Sequence, residues 1–245
     1  MSGIFYDFGR KLGRAAVPAI RKGRWIWNGL TGTEAEALRA EQALGSALAV
    51  EVRSMMGSCA DPEAESLVRS LCGELSRVTG EPRRAFRVEV ISSESPNAMA
   101  LPGGFLFVSL ELVDLCERRP DELAFVMGHE MAHVLLGHAW DRVLNQGLLR
   151  AASLVAGRVG LVGAWVRQHG LQSLQSAHSR QGEFEADQRG CEMAVAAGFD
   201  PAGALALLRR LEARSQPPGV LGRYFASHPP AEERAERLER GLHEV

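Results

Sequence analysis

The chain has 245 residues and a hydrophobic content of 46%, enough for one large domain or for a catalytic body with appendages around a sizeable core. Its formal net charge is -2 and its pI is near 6.4, which argues against a protein that holds nucleic acid or an anionic membrane by bulk electrostatics. No nucleic-acid partner is expected, and any charge preference must be local.

One local asymmetry opens the chain. Within residues 1–30, Arg10, Lys11, Arg14, Arg21, Lys22 and Arg24 stand against Asp7 alone and are interleaved with Phe5, Tyr6, Phe8, Leu12, Val17, Ile20, Trp25, Ile26 and Trp27. That composition suits a helix lying on a membrane surface, or an arm that packs its aromatics on the body. Residues 1–30 are therefore read as a basic aromatic N-terminal arm with peripheral membrane contact, and 31–245 as the domain it serves. The arm lacks the apolar run of roughly seven residues that a cleavable secretory signal needs. The longest uncharged apolar stretches, around LVAG and VGLVGAWV, are interrupted by Arg150, Arg158 and Arg167 well short of the roughly 20 residues of a membrane span. A soluble, cytoplasmic chain is expected. Cys59, Cys72, Cys116 and Cys191 show no CxxC pairing and read as free, mostly buried thiols.

After the arm, Thr33-x-x-Glu36 is a capping box ahead of a helical pattern that runs to Met56. Asp61 as N-cap and Pro62 at the first helical position predict a second helix over 62–79. The period then changes: FRVEVISS (86–93) alternates as a strand, and NAMALPGGFLFVSLELV (97–113) places a Pro-Gly-Gly turn before the β-prone FLFVS. Asp121, after Pro120, begins the next helix. A helical region spans 141–177, and another helix holds RQGEFEADQRGCEMAVAAG and stops at Gly198. Asp200 and Pro201 start a further one, SQPPG is a break, and HPPAEERAERLERGL closes the chain as a helix. A small sheet among many helices defines an α+β, helix-dominant class.

The stretch FVMGHEMAHVLLGH (125–138) sets polar groups in an apolar helix. His129 and His133, four residues apart, share one face, the geometry in which two imidazoles hold one Zn2+ at about 2.0–2.1 Å. Glu130 lies roughly 100° around the helix, too far to complete that chelate but within reach of a water there. As core polar groups without partners, these side chains would cost several kcal/mol.

A catalytic zinc needs a third protein ligand and an open position. His138 lies about 180° from His129 in a continuous helix, and Gly137 comes too late to turn the chain back, so His138 is expected to support a ligand or simply to pack. In EFEAD (183–187), Glu183 and Asp187 share a face while Glu185 sits about 200° away and is expected in solvent. One of the two carboxylates can bind the metal while the other accepts the N–H of a ligand histidine.

HEMAH followed some fifty residues later by EFEAD, preceded by NAMALPGG and followed by SHPP-x-x-x-R, resembles the zinc metallopeptidases of the CAAX prenyl endopeptidase and HtpX type. The resemblance is closest to their compact, soluble BepA-like and Oma-like branch and covers roughly residues 60–242. It implies a zincin-like metallopeptidase domain with a small β-sheet or hairpin beside the active-site helix. It also implies one Zn2+ per chain held by His129, His133 and Glu183, with Asp187 behind the ligands and Glu130 as general base and then proton donor. His228, Tyr224 and Arg180 are the polar candidates for stabilising an oxyanion. His228, where the family carries a histidine, would donate to the oxyanion, occupy the open metal position and hold the enzyme inactive, or belong to a helix-capping loop. Asn97, Gly103 and Gly104 resemble the family's edge strand, where a substrate backbone pairs by strand addition, and equally fit a structural hairpin.

The implied activity is that of a zinc metalloendopeptidase acting on protein or peptide substrates, in unfolded or membrane-associated proteins, as in protein quality control. The alternatives are a zinc-binding chaperone-like or regulatory module with little proteolysis, and a zinc hydrolase of non-peptide substrates. The sequence departs from the membrane-embedded members in lacking their transmembrane helices, and from the BepA-like enzymes in lacking their signal peptide and tetratricopeptide extension.

Overall fold

The computed structural model describes residues 33–57, 59–145, 179–213 and 228–243. The N-terminal arm, most of the 141–177 region, the SQPPG break and Tyr224 lie outside them.

Helix α1 (Glu34–Met56) starts where the capping box places it: the Thr33 hydroxyl accepts from the Glu36 N–H and donates to the Glu36 carboxylate at 2.6 Å. Helix α2 (Pro62–Val78) is capped by Asp61, whose carboxylate accepts from Ala64 N at 2.9 Å. Strands β1 (Arg87–Ile91), β2 (Ala98–Leu101) and β3 (Phe105–Ser109) follow, with a tight turn at Pro102–Gly104 between the last two. The strand order is β1-β3-β2, with β1 parallel and β2 antiparallel to β3. All five residues of the central strand are buried.

Alternation along these strands divides the core into two layers. Ile91, Met99, Leu101, Phe105 and Phe107 face α1 residues such as Leu44, Leu48 and Val52, together with Trp140. Val88, Val90, Ala100, Leu106 and Val108 face the larger core, which includes α2 residues such as Val68 and Leu75. Each Leu or Phe so buried contributes about 1.5–3 kcal/mol. The turn is fitted closely under α1: Gly103 (φ 77) donates its N–H to the buried Glu41 carboxylate at 3.0 Å, and a Cβ at Gly103 would lie 2.8 Å from Gln42 Cα.

Residues 110–113, the remainder of the 97–113 stretch, start a short helix α3 (Leu110–Leu115). Ser109 ends the strand because its hydroxyl accepts the Leu112 N–H at 3.2 Å and so caps the helix. Helix α4 (Pro120–Leu135) begins at Pro120, one residue ahead of the expected Asp121. It is buried on every side from Glu122 to Leu135, as its nearly uniform apolar sequence requires. Helices α5 (His138–Asn145), α6 (Arg180–Ala196), α7 (Ala202–Ala213) and α8 (Ala231–His243) complete the described elements. All four cysteines are buried and none is paired.

Two contacts fix α4. Buried Glu122 receives Arg210 Nη1 at 2.7 Å and Nη2 at 3.0 Å, which ties α7 to the first turn of α4. Gly128 meets Gly190 of α6 backbone to backbone, so that a Cβ on Gly128 would lie 2.6 Å from Gly190 O and a Cβ on Gly190 would lie 2.5 Å from His129 N. The absence of side chains at this crossing lets the two helices that carry the polar motifs approach closely.

Candidate active site

The Gly128–Gly190 crossing presents the histidines of α4 to the carboxylates of α6. His129 and His133 direct their Nε2 atoms at each other, 3.0 Å apart, and at Glu183, whose Oε2 is 3.6 Å from His129 Nε2 and whose Oε1 is 3.4 Å from His133 Nε2. Donor atoms of these three residues all lie within 4.8 Å of one another, and all three side chains are buried. Glu130, His129 and His228 form a second such group. The Glu130 carboxylate therefore faces the same space as the His129 imidazole, as the spacing along the helix predicts.

Asp187 stands behind His129. Its Oδ1 is 2.9 Å from His129 Nδ1, and its two oxygens accept from Arg234 Nη2 at 2.6 Å and Arg234 Nε at 2.8 Å. Arg234, in the first turn of α8, is 1% exposed. His228, just before α8, is hydrogen-bonded through Nδ1 to Glu183 Oε2, with its ring centroid 5.4 Å from that of His129. The loop before α8 thus turns this histidine into the cluster. Arg180 pairs with Glu233 at the surface, its side chain 65% exposed.

His138 is where continuous helix geometry would not put it. Gly137 adopts φ 83, α4 stops at Leu135, and α5 starts at His138, so the ring returns to within 3.1 Å of His133, Nδ1 to Nδ1. Glu185, expected in solvent, is half-exposed with Oε2 3.6 Å from His138 Nε2. Asn97 pairs with Ser109: its N–H donates to the hydroxyl at 2.9 Å, and its carbonyl accepts the Ser109 N–H at 2.8 Å. It thereby leads into β2, the sheet edge that packs beside α4. Gly103 and Gly104 are buried, against α1 and Ala85 respectively.

The charges in this cluster suit a cation. Burial opposes ionisation of Glu183, but the imidazoles of His228, His133 and His129 outweigh it and hold the carboxyl well below the usual range. Burial acts the same way on Asp187, and Arg234 outweighs it, leaving that group at about 2. Burial pushes His133 well below the ordinary imidazole value and His228 below it. Burial also lowers His129, but the hydrogen-bonded Asp187 overrides it and the net direction is up, so positive charge is drawn to this point. Glu183 Oε1 is buried with no hydrogen-bond partner among the described residues. Two imidazole nitrogens 3.0 Å apart can share only one proton between them. Two imidazole donors, an ionised carboxylate and an unsatisfied buried oxygen around one point fit a zinc ion.

Two features were not assigned a role from the sequence. Arg234 closes the SHPP-x-x-x-R pattern, and its signal was a cation in the first turn of a helix, where the macrodipole favours anions. Gly128 and Gly190 left no local signal, because a helix crossing joins residues distant in sequence.

A helix carrying His-Glu-x-x-His, with a glutamate of a second helix against its two histidines, has the donor set of a candidate metal centre, and comparison with known proteins identifies the family. Residues 62–241 match the model of peptidase family M48. The chain is 32% identical over 174 residues to the mitochondrial metalloendopeptidase OMA1 of Schizosaccharomyces pombe, covering 69% of this chain and 50% of that protein. It is 28% identical over 170 residues to metalloprotease LoiP of Escherichia coli (strain K12), with 66% and 64% covered. It is 29% identical over 204 residues to the beta-barrel assembly-enhancing protease of the same organism, with 75% and 40% covered. The chain belongs to peptidase family M48. It spans half or less of the length of the OMA1 proteins it matches. No helix among the described residues is long and apolar enough to cross a membrane.

Proposed function

We propose that this chain is a zinc-dependent endopeptidase that hydrolyses peptide bonds in unfolded or membrane-associated proteins, a protein quality-control activity. The reading is carried by the convergence of His129, His133 and Glu183 on one point with Glu130 beside it. His129, His133 and Glu183 would hold the zinc ion. The chemistry such an ion supplies when bound is acidification of a water toward neutral pH and polarisation of a carbonyl oxygen.

The remaining work belongs to the protein's own groups. Glu130 takes the proton of the attacking water and returns it to the leaving nitrogen. His228 is already turned into the cluster, and the Nδ1–H that it gives to Glu183 Oε2 would pass to the oxygen that gains charge once Glu183 serves as a metal ligand. Asp187 accepts the His129 Nδ1–H and so keeps Nε2 directed inward, while Arg234 keeps Asp187 ionised. Asn97 sets the start of the β2 edge along which a substrate backbone would pair, with Gly103 and Gly104 serving as the turn that holds that edge under α1.

Zinc content and cleavage of unfolded casein, measured on the same preparation before and after chelation, test the reading. One zinc per chain is expected, with cleavage abolished by the chelator and restored by one equivalent of zinc. Absence of zinc from the protein as isolated and after reconstitution would sink the site. Stoichiometric zinc without cleavage would move the reading to a zinc-binding chaperone-like or regulatory module.

The cytoplasmic setting, which four buried and unpaired cysteines fit, and the peripheral membrane contact, which the basic, aromatic composition of residues 1–30 suits, belong to the same proposal. Flotation with anionic liposomes is expected for the full chain and lost on removing those residues. Equal flotation of both ends the membrane arm.

A further inference from the structure

We infer that His138 is the positioning residue of His133, so that each zinc-binding histidine has its own outer partner. The inference rests on the reading of His129, His133 and Glu183 as metal ligands.

An imidazole that offers the Nε2 lone pair to a cation must carry its ring proton on Nδ1. In His133, Nε2 faces His129 and Glu183, so the Nδ1–H points the other way, where His138 Nδ1 lies 3.1 Å off. To accept that hydrogen bond, His138 Nδ1 must be bare, which places the His138 proton on Nε2. That nitrogen faces the Glu185 carboxylate, with Oε2 3.6 Å away. Every ring nitrogen of the two histidines then has one consistent role. The two arms differ in chemistry: His129 leans on a buried carboxylate neutralised by Arg234, whereas His133 leans on an imidazole that leads out to a half-exposed carboxylate.

The backbone is shaped for this contact at Gly137, which with φ 83 ends α4 and throws the chain back so that a residue five positions after His133 reaches its ring. Helix α6 packs beside that ring at Gly182 and, one turn along, brings the Glu185 carboxylate to face its other nitrogen.

The test compares zinc affinities of the full chain, by competition with a chelating indicator, together with the melting temperatures of the metal-free proteins. His138→Phe keeps a ring but removes the acceptor, and zinc should bind about 10–100-fold more weakly, with the metal-free melting temperature no lower than wild type. His138→Asn puts an amide oxygen near the place of Nδ1 and should recover most of the lost affinity, whereas His138→Gln, whose amide reaches the place of Nε2, should not. The Asn and Gln pair keeps the test valid if His138→Phe folds poorly. Wild-type affinity in His138→Phe, or equal affinities of the Asn and Gln variants, would overturn the positioning role while leaving the zinc site standing. A wild type that binds no zinc would overturn the site itself and this role with it.

Discussion

Replacing Glu130 with Gln is expected to lower the rate of casein cleavage by about 10²–10⁴-fold while leaving zinc content at the wild-type level. The side chain is buried at 6% exposure, so an amide of the same shape fits the site without repacking. Its carboxylate belongs with His129 and His228 to one group of donor atoms within 4.8 Å, whereas the His129, His133 and Glu183 group is complete without it. The substitution thus removes the proton acceptor and keeps the three ligands. Side-by-side metal analysis and cleavage assays separate these effects: full zinc with lost cleavage is the expected pair. Cleavage that survived in Glu130→Gln would refute the base assignment. Lost zinc would show instead that Glu130 helps to hold the ion.

Much of this site was legible in the sequence because it is written in helix periodicity. Spacing puts His129 and His133 on one face, and the same rule puts Glu183 with Asp187; both carboxylates lie against the histidines. The helices themselves were legible where a local rule sets their ends, as at Thr33 and Asp61. Periodicity fails where it stops being continuous. His138 was placed on the far side by extrapolating one helix through Gly137; the left-handed turn at that glycine brings the ring back beside His133, where supporting a ligand, one of its two expected roles, stays open to it. It fails again where contacts are long-range. Nothing near Gly103 announces that Glu41, 62 residues earlier, takes its N–H, and nothing near Gly128 announces Gly190. The β-prone FLFVS run does coincide with the strand Phe105–Ser109, but the helix that begins at Leu110 was not read from the sequence, although the Ser109 hydroxyl caps it.

Arg234 is the long-range contact with the largest expected effect. It is almost fully buried, and it binds both oxygens of Asp187 through Nε and Nη2. Arg234→Met would leave the Asp187 carboxylate buried without its cation, at a cost of about 3–5 kcal/mol. For a chain of this size that corresponds to a fall in melting temperature on the order of 10 °C. Proton uptake by Asp187 would relieve part of the cost, but it would weaken the acceptor for the His129 Nδ1–H, and zinc affinity should drop about 10–100-fold. A second variant separates the two consequences. Asp187→Leu combined with Arg234→Met removes both charges and should recover most of the melting temperature, because a buried ion pair replaced by apolar groups of similar volume is near neutral in stability. The same double variant has no acceptor behind His129, so its zinc affinity should stay low. Calorimetry of the metal-free proteins and zinc competition together decide the matter. If stability and affinity return together in the double variant, Arg234 and Asp187 act on the fold alone. If stability returns and affinity does not, the pair orients His129.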